Sequence, residues 1–193
     1  MSYTSVSRLP AVKREDLDEN GKKAWDTVSD PSHRLYAKLM GPPGFWLHIP
    51  DLLLPVREIN WYLRRKLDGL GPDLRELATL VTAREHESQY EWTAHEPHAL
   101  KAGVSPAAVD VIKHRKPVAG VGEKEAAVIE FGRQLFREKK VTDDTWDRAV
   151  KALGQKGVVH MVALFSNYAM TATIFHAIGQ RLRPEQTPLL PLD

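Results

Sequence analysis

A chain of 193 residues, 42% of them hydrophobic, is long and apolar enough to build one domain with a sizeable core, and it does not require a second. Its 27 Lys and Arg are interspersed with 25 Asp and Glu, which leaves no basic face of the kind that binds nucleic acid. The chain contains no cysteine, so disulfides, thiolate metal sites and thiol-based peroxidase or reductase chemistry are all excluded.

The opening segment MSYTSVSRLPAVKRED has no apolar stretch after a basic region and does not resemble a secretory signal, so the expected location is the cytoplasm. No alternating apolar and polar runs occur between hairpin turns, and Gly and Pro cut the sequence into helix-length pieces. The expected class is therefore all-α. Helices are predicted over Asp16 to Thr27, Asp51 to Leu67, Pro72 to Glu87, Gln89 to Ala102, Pro106 to Lys113, Glu123 to Glu138, Asp143 to Leu153 and Gly157 to Ile178. Pro72 and Pro106 suit a first helical turn, and Ser105 and Thr142 suit N-caps. Gly69, Gly103, Gly154 and Gly179 suit C-terminal stops.

Between the first two helices, GPPGFWLHIPD (residues 41 to 51) reads as an ordered loop or a set of tight turns whose aromatic residues cover the core. Val158 to Ile178 is apolar, but it carries His160, Ser166, Asn167, Tyr168, Thr171, Thr173 and His176. That pattern suits a buried or interface helix better than a membrane span. The tail RPEQTPLLPLD reads as an extended arm over about 183 to 193, and its leucines would be sheltered against a neighbouring subunit.

The densest group of ionisable and aromatic side chains lies in RELATLVTAREHESQYEWTAHEPHALKAG, residues 75 to 103. Glu91 and His95 stand at i and i+4, one turn apart on one helix face. Glu76 shares a stripe with Leu80, Ala83 and Glu87, which sets its carboxylate beside apolar neighbours where desolvation would raise its pKa. Pro97 removes the amide that would bond the carbonyl of Thr93, so a kink or loosened turn is expected beside His95. Spacing alone leaves several readings open: a solvent-exposed Glu–His pair, a satisfied core histidine, or a working site. Glu91, His95 and His98 share a face as well, but their spacing is neither HExxH nor ExxH, and no metal site is expected. The roles of His48, His86 and His98 stay unassigned.

REL, then YEWTAH, then ALKAGVS resemble the signature helix pair of carboxymuconolactone decarboxylase-like proteins, the superfamily that includes the alkylhydroperoxidase D-like proteins. The similarity is densest over residues 72 to 112 and extends more loosely through LPAVKREDLDENGKKAWD, LHIPDL and GVVHMVALFSNYAM. It implies a single compact helical domain over residues 1 to 193, made of packed helix pairs. In the redox branch the signature is Glu, eleven residues, Cys-x-x-Cys, three residues and His. Glu76 falls on its glutamate, Ser88 and Glu91 on its two cysteines, and His95 on its histidine, with Tyr90 between the cysteine positions. The resemblance therefore points to the cysteine-free branch.

That branch implies a lyase of aromatic-compound catabolism that decarboxylates a small anionic lactone or ring acid with no metal or organic cofactor. Glu76, Glu91 and His95 would handle protons, and Ser88, Tyr90 and Arg84 would bind substrate, although a solvated Arg84 fits the sequence better. The alternatives are a non-catalytic ligand-binding oligomer and a lactone hydrolase or isomerase on the same scaffold. A homo-oligomer is expected from the apolar last helix and the leucine-bearing arm, and the resemblance implies a trimer or hexamer.

Overall fold

A computed structural model describes residues 6–39 and 41–192, and among these there are eight α-helices and no strand. The helices are α1 (Glu19–Ser29), α2 (Pro42–Trp46), α3 (Pro50–Trp61), α4 (Pro72–Glu85), α5 (Gln89–Ala102), α6 (Pro106–Lys113), α7 (Glu123–Glu138) and α8 (Asp143–Ile178). A 3₁₀ turn, Arg14–Asp16, precedes α1, and a π-helical turn, Tyr62–Lys66, extends α3. The described chain divides into two compact units, one of residues 6–66 with 177–181 and the other of residues 67–176 with 182–192.

In the first unit, Asp18 caps α1 by accepting the Gly21 amide at 2.7 Å, so the helix begins three residues later than Asp16. Ala24 and Val28 of α1 meet Leu47 and Leu53 in a small core, flanked by Trp25, Leu39 and Trp46. The expected loop at 41 to 51 folds instead into the short helix α2, and the reason is local. Gly41 adopts φ 101°, open to glycine at little cost, and Pro42 then sits at the first helical position, where its missing amide is no loss. Arg34 forms a two-pronged ion pair with Glu58 of α3 and lies over the Trp61 ring at 4.7 Å.

The second unit is organised on α4. Every α4 position from Leu77 to Arg84 is buried, because α5, α6 and α7 all pack on this helix. Its buried threonines are satisfied within the helix, Thr79 donating to the Arg75 carbonyl at 3.0 Å and Thr82 to that of Ala78 at 2.9 Å. A three-residue link, 86–88, turns the chain back so that α5 runs beside α4. α5 is continuous through Pro97.

α8 joins two helical runs across Gly154, whose φ of 71° and ψ of 160° interrupt the helix at the stop expected there. By length and composition α8 is apolar enough to cross a membrane, and half of its most apolar stretch is buried in the protein. Phe165 of α8 packs on Phe131 and Phe136 of α7. α7 comes closest at Gly132, where an added Cβ would lie 2.4 Å from Val81 Cγ1 and 2.9 Å from Phe165 Cζ.

The arm departs from expectation: it lies along its own chain. Leu190 exchanges two hydrogen bonds with the Gln89 carboxamide, at 2.9 and 2.8 Å, and Leu189 N donates to Thr93 Oγ1 at 3.3 Å. Gln89 and Thr93 are one turn apart on α5, so the arm fits the helix repeat, and the Leu190 side chain is buried there.

The Gly132 contact yields a stability test. Gly132→Ala would add a methyl where no space exists, and although alanine favours a helix by about 1 kcal/mol, overpacking costs about 1–3 kcal/mol. The expected result is a melting temperature lowered by several degrees with unchanged helical content, read by circular dichroism.

Candidate active site

Glu76 lies in the first half of α4, and Glu91 and His95 lie one turn apart on α5. Running α5 back along α4 closes the three into one cluster. His95 Nδ1 is 2.7 Å from Glu76 Oε2, and its Nε2 is 3.5 Å from Glu91 Oε2. Side-chain exposure is 10% for His95, 14% for Glu76 and 5% for Glu91, so a solvated surface pair does not describe them.

The geometry constrains the protons. An ionised carboxylate accepts only, so Nδ1–H donates to Glu76 and Nε2 becomes the nitrogen that exchanges a proton. At 3.5 Å, Nε2 and the Glu91 carboxyl are beyond a good hydrogen bond.

Tyr90 follows the α5 N-cap, its ring edge-on to Phe175 of α8 at 4.8 Å. Burial, and then the negative charge of Glu91, push its phenol above the ordinary value of 10, with Arg183 opposing. Tyr90 therefore stays protonated at neutral pH and is a hydrogen-bond donor. Ser88 is buried at the N-cap position, but its hydroxyl does not cap the helix.

Arg84 is not solvated, contrary to expectation. It is buried on α4 and donates from Nη1 to the Pro191 carbonyl at 3.1 Å, because the arm closes over it. His98 is exposed, its ring 6.3 Å from that of His95. Sequence reasoning missed Tyr168, a buried α8 residue whose ring stands edge-on to His95, 5.2 Å between centres at 85°. The available signal was Asn167–Tyr168 interrupting an apolar run.

Residues 50–131 match the profile of the carboxymuconolactone decarboxylase family, a span that contains Glu76, Glu91 and His95. Over that span the chain is similar to the carboxymuconolactone decarboxylase family. Solved structures agree on the fold. The alkylhydroperoxidase AhpD core of an uncharacterized peroxidase-related protein from Ralstonia eutropha JMP134 superposes with a TM-score of 0.72 at 15% identity, covering 95% of this chain and 98% of that one. Debrominase Bmp8 in its apo form gives 0.68 at 11% identity, covering 95% of each chain. A cysteine-to-alanine variant of Bmp8 in complex with 2,3,4-tribromopyrrole gives 0.64 at 11% identity, covering 95% and 94%. No curated protein matches the chain.

Within the segment that matches this family, His86 closes α4 at the turn that precedes Glu91 and His95. Its Nδ1–H donates to the Thr82 carbonyl at 3.0 Å, its ring stands edge-on to Phe136 at 4.7 Å, and its own carbonyl meets His176 Nε2 at 2.5 Å. Desolvation by burial lowers its pKa from 6.5, aided by Lys139 and His176 and opposed by the Thr82 bond and Glu85. The unfolded chain thus binds this proton more readily than the folded one. Stability from His86 is fully present above about pH 6.5 and is lost as pH falls below it, toward the lower folded pKa. Denaturant unfolding between about pH 5 and pH 7.5 should show stability rising with pH, and a shallower rise for His86→Asn. An unchanged slope in the variant would remove His86 as its source.

Proposed function

We propose that the chain is a cofactor-free carbon–carbon lyase that decarboxylates a small, anionic carboxylated lactone or related ring acid. The observation that carries this reading is His95 held between two carboxyl groups, bound to Glu76 through Nδ1 and facing Glu91 through Nε2. Such a set fixes the imidazole through Nδ1 and turns Nε2 toward Glu91, the arrangement of a general acid beside a relay carboxyl.

In the reaction, the bond between the ring carbon and the substrate carboxylate breaks and its electron pair moves into the conjugated lactone carbonyl. Carbon dioxide leaves, and an enolate oxyanion remains. In this reading the Tyr90 phenol, which burial keeps neutral, steadies that oxyanion, and Nε2–H of His95 delivers the proton to carbon. Glu91 then passes a proton taken from water to Nε2, so that solvent supplies the one proton consumed per turnover, while Glu76 holds the ring orientation. The thiol route is closed, because Ser88 and Glu91 stand where the redox signature has its sulfurs and the chain has no cysteine.

Candidate carboxylated lactones should release carbon dioxide, followed by mass spectrometry together with substrate loss. His95→Ala should abolish turnover with an intact helical spectrum, and Glu91→Gln should slow it about 10²–10⁴-fold. Ring opening without carbon dioxide would identify a hydrolase instead, and absence of turnover on every candidate would favour a binding protein. Parallel loss of fold and activity in His95→Ala would make the histidine a core residue.

The same reading includes a homo-oligomer, a trimer or hexamer. Its support is an uncharged outer face on α8, where Val159 is 59% exposed and Met170 38%, with exposed Ser166 between them and exposed Thr173 beyond. Light scattering coupled to size exclusion tests it, since a mass near the 21.8 kDa of one chain would refute assembly.

A further inference from the structure

We propose that the unit of residues 6–66 and 177–181 carries a second binding site, a cavity of about 310 Å³ that takes a neutral ring compound bearing one hydrogen-bonding group. The proposal does not rest on the decarboxylase reading, since Glu76, Glu91 and His95 do not line this cavity.

The volume lies at the lower end of small-molecule sites. Its walls are apolar: Trp25 and Phe45 supply aromatic faces, and Val12, Leu39, Leu47 and Ile178 fill in between. Among the described residues no Asp, Glu, Lys or Arg lines it. A charged ligand would therefore lose its water without gaining a counter-charge, whereas a neutral ring gains from the burial of its whole surface. Orientation has two sources. His48 lies exposed at the rim, and Gln180 has its amide nitrogen engaged by the Arg181 carbonyl at 3.0 Å and that of Val6 at 3.4 Å, which leaves its Oε1 as the acceptor for a ligand donor.

The cavity is held open rather than left open. Arg8 N donates to the Ile178 carbonyl at 2.8 Å and Arg181 N to that of Val6 at 2.7 Å, so main-chain bonds fix two walls against each other. Phe45 is braced edge-on by Trp46 at 4.9 Å. Beside it, an added Cβ on Gly44 would lie 2.3 Å from the Leu39 carbonyl oxygen, so this wall has no slack to collapse inward. A pocket whose walls are fixed in advance binds without the cost of ordering them.

Calorimetric titration of the full chain with 1-naphthol and, separately, with 1-naphthoate tests the site and its preference for neutral ligands. We expect one saturable 1-naphthol site per chain and binding of 1-naphthoate at least about ten-fold weaker. Ala11 lines the mouth and is exposed, so Ala11→Trp should block entry while the fold persists, and Val12→Phe should fill the same space if that variant fails to fold. Gln180→Leu should weaken binding about five-fold by removing the acceptor. His95→Ala should leave binding unchanged. Absence of saturable binding, equal affinity for the carboxylate, indifference to both blocking variants, or loss of binding in His95→Ala would each overturn the proposal.

Discussion

A carboxylate drawn into a helix–helix contact has to be met by a donor, and in this protein that demand joins α4 to α5. Glu76 lies on the most heavily buried helix of its unit and is answered by His95 at 2.7 Å. Removing one partner of such a pair leaves the other desolvated and unmatched, which costs more than the pair itself contributes. The bond therefore constrains the register of α5 along α4, and it also decides which imidazole nitrogen faces Glu91. One interaction sets both the helix pairing and the orientation of the imidazole.

Each face of α5 is committed to a different task. Glu91 and His95 form the site, Trp92 is fully buried in the core, and Gln89 with Thr93 holds the arm. Trp92 is itself satisfied, its indole N–H donating to Glu96 at 2.5 Å, while Lys113 of α6 bonds the same carboxylate at 2.9 and 3.0 Å. A helix tied on several sides has little freedom to rotate, which is what a site built from i and i+4 side chains needs.

The sequence made the helical class and the ends of α5, α6 and α7 legible because caps and first-turn prolines mark them, as Ser105 does by accepting the Ala108 amide at 3.1 Å. It misplaced the start of α1, which begins at Glu19 behind the Asp18 cap and not at Asp16, and it took α2 for a loop because proline and glycine punctuate both. For the site, helical spacing supplied the adjacency of Glu91 and His95 and set Glu76 on an apolar stripe, whereas the meeting of Glu76 with His95 entered only through the family signature. Tyr168 and the arm were out of reach. Both arrive from far along the chain through tertiary packing, and no local pattern encodes which distant ring or strand of backbone a helix face will receive.

The arm is gripped mainly by its backbone. Leu189 and Leu190 offer amides, Leu190 and Pro191 offer carbonyls, and the side chains doing the holding belong to Gln89, Thr93 and Arg84. Almost any residue able to adopt an extended course could therefore occupy the tail, apart from the buried position of Leu190. The information that specifies the docked tail is written a hundred residues earlier, on α4 and α5, so the far end of the chain is free to drift in composition while its path over the helix pair stays the same.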